Sequence, residues 1–228
     1  MPGNIITQLV KYGEMHMYEE GLTVTINTSD VYHAIFGFHA GSLRDFTFTD
    51  GKVVDSNITA ESNPAGAVLQ VETSAAHGLV TGDIVTQSNM NDVLHNGATR
   101  VTVLDATNYT CQDIAYNAAA GASAGIIYSP SYLQAGLGTE GFYLINFSMS
   151  GESSGVAKTF KWEVNCNQNA VDTIVAERKH SNTDMGSVGA SGFGRVSPGD
   201  RIWLSGKNKT DTTNFVIEHA NVNLHRIT

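Results

Sequence analysis

FYLINFSM at residues 142–149 and FKWEV at residues 160–164 decide the fold class. In the first stretch Tyr143, Ile145, Phe147 and Met149 fall at every second position. In the second, Phe160, Trp162 and Val164 do the same, with Lys161 and Glu163 between them. Successive side chains of a β-strand point to opposite faces, so this spacing turns one apolar face of each strand toward a core.

The pattern extends in both directions. Upstream, Leu22, Val24 and Ile26 share a face with Thr23 and Thr25 opposite, and Thr28 to Asp30 supply a turn. Tyr32 to Phe38 and Phe46 to Phe48 read as short strands separated by a turn at Gly41, and Asp50-Gly51 reads as a hairpin reversal. Downstream come Ile174 to Glu177, the Gly-rich run MGSVGASGFGRV, the turn SPGD at Ser197 to Asp200, and Ile202 to Leu204. Phe215 with Ile217 and Val222 with Leu224 close the chain. Strands at this cadence, with no amphipathic helix of convincing length, predict an all-β sandwich.

Two changes of texture interrupt it. Asn, Thr, Ser, Pro and Gly accumulate at Ser56 to Gly66, and an Ala/Gly stretch runs over Ala118 to Gly125. They bracket a candidate inserted domain at residues 58–128, leaving 13–57 and 129–228 as a discontinuous sandwich. Inside the insertion, short runs bounded by turn residues suit a β-barrel-like domain of about 70 residues. The remaining segment, 1–12, carries Ile5, Ile6, Leu9, Val10 and Tyr12. It reads either as an arm that docks on a partner or as a first strand packing on its own domain.

Composition excludes several function classes. The 228 residues are 41% hydrophobic and 15% charged, with a formal net charge of -9. No Lys/Arg stripe is present to neutralise phosphates, so no nucleic acid partner is expected. The N-terminus lacks the basic start, apolar stretch and cleavage site of a signal peptide, and no apolar run reaches membrane-spanning length, so no membrane partner is expected either. Cys111 and Cys166 stand far apart without a CxxC motif. They are expected to be buried free thiols rather than zinc ligands.

The search for chemistry yields scattered candidates. Eight histidines occur without an HExxH motif or H-x-H pair. His33 and His39 share strand parity, but Gly37 lies between them, and surface or packing positions are the default for both. His77, in the run His77-Gly78-Leu79, is expected to bond nearby backbone. GASGFG at Gly189 to Gly194 lacks the setting of a nucleophile elbow, and its glycines suit close strand packing. Glu152, Glu163, Asp172 and Asp184 could serve glycan cleavage only if two of them flanked a groove, and nothing in the sequence brings them together. Gly82-Asp83 and Gly199-Asp200 are turn formers. No catalytic residue, metal ligand or cofactor is assigned, and the chain is expected not to be an enzyme.

Residues 40–53, 141–153, 160–169, 178–210 and 214–227 together resemble phage virion structural proteins whose jelly rolls are related to tumour necrosis factor and complement-type trimer modules. The usual leucine-containing GD turn is replaced here by SPGD. The insertion resembles a small module of phage head and tail proteins, through His77-Gly78-Leu79, Gly82-Asp83-Ile84-Val85, Asn96-Gly97 and Val101 to Thr110. The resemblance implies a jelly-roll β-sandwich forming a homotrimer, with Tyr143, Ile145, Phe147, Phe160 and Trp162 in the core or at the trimer axis. It implies a virion structural protein: a capsid decoration or head-fibre protein on the outer shell of a bacteriophage, its arm docked on the major capsid protein. The alternative is a short tail-fibre tip or adaptor that contacts tail proteins or a host glycan.

Overall fold

In the computed structural model the described residues are 11–26, 29–55, 57–63, 68–117, 125–167, 169–181 and 185–227. Five early strands run in order: β1 (Tyr12–Val24), β2 (His33–Ala34), β3 (His39–Arg44), β4 (Phe46–Thr49) and β5 (Lys52–Asp55). Six more follow: β6 (Ile58–Ser62), β7 (Val68–Thr73), β8 (Ile84–Ser88), β9 (Gly97–Val103), β10 (Asn108–Ala115) and β11 (Ile126–Ser129). The last seven are β12 (Tyr132–Ala135), β13 (Gly141–Ser153), β14 (Lys158–Cys166), β15 (Asn169–His180), β16 (Gly186–Val196), β17 (Arg201–Asn208) and β18 (Phe215–Arg226).

Four antiparallel pairings nest inside one another: β1 with β18, β12 with β17, β13 with β16, and β14 with β15. A long hairpin rolled up in this way is a jelly roll. Its two sheets run β16-β13-β18-β1-β3 and β15-β14-β17-β12-β4, with β2 added to β17. The molecule is therefore the all-β antiparallel sandwich that the two-residue alternation predicts. Tyr143, Ile145 and Phe147 of β13 and Phe160 and Trp162 of β14 all lie in the core between the sheets. The Phe215 ring lies 4.9 Å from that of Phe160, tilted, and 4.7 Å from that of Trp162, edge-on. Trp162 also explains Gly206 on the neighbouring strand: a Cβ there would sit 2.0 Å from Cζ3 of the indole.

The third sheet, β5-β11-β8-β9-β10-β7-β6, forms between β4 and β12. It has its own core of Ile58, Leu69, Val71, Val85, Val101, Tyr109 and Ile127 among others. Ile58 N–H donates to Gly125 O at 3.3 Å, drawing β6 back toward the β11 end of the sheet. The sheet includes β5 and reaches Ser129, so it extends past residues 58–128 at both ends.

Several sequence expectations are corrected. Asp50-Gly51 is not a hairpin, because β4 pairs with β12 and β5 with β11. The dipeptide is a crossing from the sandwich into the third sheet, and Pro130-Ser131 is the return. The two links touch so closely that a Cβ on Gly51 would meet Pro130 backbone at 2.3 Å. Gly41 is not a turn but lies inside β3, where the chain packs on the Glu14 carboxylate, and the chain crosses from one sandwich sheet to the other at Asp45, with φ 65°. The expected strand Tyr32–Phe38 shrinks to His33–Ala34, which pairs with Gly206 and Ser205 of β17, and Gly37 further on adopts φ 80°. Tyr12 belongs to β1, paired with His225 and Arg44, rather than to an arm. Ile5, Ile6, Leu9 and Val10 lie outside the described residues. Cys111 is buried and Cys166 half-buried, both free thiols.

Candidate interaction surface

Because Tyr143, Ile145, Phe147 and Met149 point inward, the alternate residues of β13 form the outer face of the β16-β13-β18-β1-β3 sheet. Residues opposite each other in antiparallel strands share a face, so the register defines cross-strand rows. One row runs Phe193, Leu144, His225, Tyr12, Arg44. The next runs Ser191, Asn146, Asn223, Glu14, and a third Gly189, Ser148, Asn221, His16, His39. A fourth holds Ser187, Ser150, His219 and Tyr18.

The middle of this face is a chain of side-chain hydrogen bonds. Asn146 Nδ2 donates to Asn223 Oδ1 (2.8 Å), Asn223 Nδ2 to Asn221 Oδ1 (2.6 Å), and Asn221 Nδ2 to Glu14 Oε1 (2.9 Å). Glu14 Oε2 accepts Ser42 N–H at 3.3 Å. Each amide orients the next, which fixes the donors and acceptors left for a partner. Rings flank the chain: Tyr18 lies 4.9 Å from His219, His16 6.2 Å from His39, and Tyr12 6.4 Å from His225. At one end Phe142 is 56% exposed and Phe193 65%, and Tyr18 at the other is 66% exposed. Small side chains at Ser148, Ser150 and Ser187 leave a shallow depression of about 490 Å³ beside His16, Tyr18 and His219.

Charge separates the two outer faces. The four rows hold only Glu14 and Arg44 as permanently charged groups, Glu14 already engaged, and the row beyond them, at Phe142, adds Arg195 paired with Glu140. The opposite sheet carries Lys207 paired with Asp30 (2.7 Å) and Lys209 with Glu177 (2.9 Å). Beside it Lys158 lies 2.5 Å from Asp211, which holds that carboxyl down to about 2. Interface centres are depleted of lysine and carboxylates and enriched in aromatic groups, so the weakly charged face has the composition of a contact surface. Sequence reasoning missed these residues because they occupy the less apolar parity of the same strands. The apolar Phe142, Leu144 and Phe193 at that parity were the available signal.

The other sequence candidates disperse. His33 is buried in β2, 6.3 Å from Tyr128, whereas His39 is exposed in β3 of the other sheet. His77 accepts Leu79 N–H through Nδ1 at 2.9 Å. Glu152 lies on β13 and Glu163 on β14, in opposite sheets. The Asp172 side chain and Asp184 fall outside the described residues. Among the described residues no group of three or more His, Cys, Asp or Glu is arranged to hold a metal, and no helix is long and apolar enough to cross a membrane.

Gly82-Asp83 and Gly199-Asp200 build matching turns. Asp83 Oδ2 accepts Val80 N–H (2.9 Å) and Asp200 Oδ2 accepts Ser197 N–H (2.8 Å), with Gly82 at φ 97° and Gly199 at φ 89°. The glycines supply the positive φ that such turns require. Burial, with the nearby Asp200 charge, pushes the Cys166 thiol up to about 12 and leaves it protonated at neutral pH.

No family model and no curated protein matches the sequence. Among solved structures, the Eiger tumour necrosis factor of S. frugiperda aligns at 11% identity with a TM-score of 0.33, over 81% of this chain and 94% of that one. An isomalto-dextranase of Arthrobacter globiformis T6, complexed with panose, aligns at 14% identity with a TM-score of 0.24, over 76% of this chain and 40% of that one.

Proposed function

We propose that the chain is a non-enzymatic structural protein of a bacteriophage virion, a homotrimer that decorates the outer capsid through contact with the major capsid protein. The observation that carries the assembly part is the outer face of the β16-β13-β18-β1-β3 sheet. It joins exposed Phe142, Phe193 and Tyr18 to an ordered amide chain, with the Arg195–Glu140 ion pair beside Phe142 at its edge. A stable trimer contact needs a total buried area of about 1,200 Å² or more per interface, a size that a whole sheet face can supply. The virion part of the reading is supported by the HGL, GD and NG motifs of the third sheet and their order along the chain.

Light scattering on the purified chain tests the assembly, with three times the 24.3 kDa subunit mass as the expected result. A monomeric mass at micromolar concentration would refute it. Cryo-electron microscopy of particles that contain the protein tests its position. Trimers on the capsid lattice are expected; density confined to the tail would replace decoration with a tail-fibre tip or adaptor.

A further inference from the structure

A second site lies away from the sheet face, where the sandwich meets the third sheet. A cleft of about 410 Å³ opens there between the two chain crossings, the Gly78–Asp83 segment and the start of β17. Ligand sites favour such junctions, and this volume falls within the range of small-ligand pockets.

Its walls are fixed from both sides. The crossings are held by Ser131, whose Oγ accepts Gly51 N–H at 3.0 Å and lies 3.3 Å from Asp50 Oδ1. Arg201 spans the cleft from the sandwich, donating through Nη1 to Gly82 O (3.1 Å) and Asp83 Oδ1 (3.2 Å). Its guanidinium also covers one side of the Tyr132 ring at 4.9 Å. A site already ordered before binding spends little of its affinity on arranging itself.

The chemistry of the lining narrows the ligand. Lys52 is an exposed ammonium with no ion pair among the described residues, and Asp50 and Asp83 are acceptors. Gly78, at φ 66°, has open space where a side chain would stand, so bare backbone faces the cleft. Asp83 is paired with Arg201 and Asp50 balances Lys52, so the lining carries no net charge to hold phosphate or sulfate, and four charged side chains disfavour a purely apolar ligand. Donors and acceptors interleaved around a half-buried tyrosine match a molecule that carries both kinds of group on a small ring. We infer that this cleft binds one hydroxyl-rich sugar unit, either a free saccharide or a residue of a longer glycan. Lys52 and Asp50 bond its hydroxyls, and Tyr132 with Leu79 meets its C–H side.

The inference stands apart from the trimer and the capsid, so light scattering cannot decide it. The test is an NMR titration of the ¹⁵N-labelled full chain with neutral hexoses, N-acetylhexosamines and glucuronate, with inorganic phosphate as the competing probe. At least one saccharide is expected to give saturable shifts in residues 49–52, 78–84, 129–132 and 201. Lys52→Met is expected to weaken that binding about tenfold while leaving the rest of the spectrum unchanged. Tighter binding of an oligosaccharide than of its monosaccharide would identify a glycan chain as the source; equal binding would identify the free sugar. Shifts from phosphate alone, shifts elsewhere, no shift across the panel, or indifference to Lys52→Met would each overturn the assignment.

Discussion

Arg201 Nη1 stands 3.2 Å from Asp83 Oδ1, joining the first residue of β17 in the sandwich to a turn of the third sheet. The two side chains are 16% and 23% exposed, so the pair is partly shielded from water. Arg201→Ala and Asp83→Ala, combined in a double-mutant cycle, are expected to show a coupling of roughly 1 kcal/mol by urea denaturation. A coupling of zero would mean that Arg201 acts at the junction through Gly82 O rather than through Asp83.

The two parities of β13 are expected to respond differently. Phe147→Ala empties part of the core and should cost about 3–5 kcal/mol of folding stability. Phe142→Ala combined with Phe193→Ala should leave the circular dichroism spectrum intact while lowering the light-scattering mass toward 24.3 kDa. A double variant that remains trimeric would remove this end of the sheet from the interface.

His180 links stability to pH. Burial lowers its pKa, against the hydrogen bond its Nδ1 makes to Gly151 O at 3.2 Å, and Arg178 lowers it further. Nε2 has no hydrogen-bond partner, and the ring packs against Phe160 and Phe215, so a second proton would place charge among aromatic side chains. The unfolded chain binds that proton as pH falls below the ordinary value of 6.5, and the folded chain does not. This contribution is therefore present above that value and lost below it. Urea midpoints of the wild type should fall between pH 7 and pH 5 more steeply than those of His180→Gln; parallel profiles would sink the assignment.

Glu61 of β6 and His95, in the 3-10 turn Val93–His95 between β8 and β9, form a fully buried pair. Asn91 N–H donates to Glu61 Oε1 at 2.9 Å, and Asn117 N–H to His95 Nε2 at 3.0 Å, which assigns the imidazole proton to Nδ1, facing Glu61. Glu61→Ala leaves Asn91 N–H and His95 Nδ1–H without a partner and should cost about 1–3 kcal/mol for each. Trp162 lies in the core between the sandwich sheets, whereas Trp203 packs with Ile84 and Tyr128 of the third sheet, so Trp203→Phe leaves Trp162 as the fluorescent reporter of the sandwich. A circular dichroism transition at lower urea than the tryptophan fluorescence transition would show the third sheet melting first; coincident transitions would show one cooperative unit.

The alternation of Tyr143, Ile145, Phe147 and Met149, and of Phe160, Trp162 and Val164, is local information, and it determined the strands, their inward faces and the all-β class. The GD turns were legible for the same reason, since Gly82 and Gly199 answer a backbone requirement confined to four residues. Tertiary structure alone decided what each strand pairs with. Asp50-Gly51 has the chemistry of a hairpin, yet its flanking strands belong to different sheets, because β12 and β11 supply partners more than seventy residues away in the chain. Likewise no spacing announces that Asn146, Asn223, Asn221 and Glu14 form one hydrogen-bonded chain, or that Arg201 meets Asp83. Those contacts depend on register between distant strands, and register is fixed only when both sheets close over their shared core.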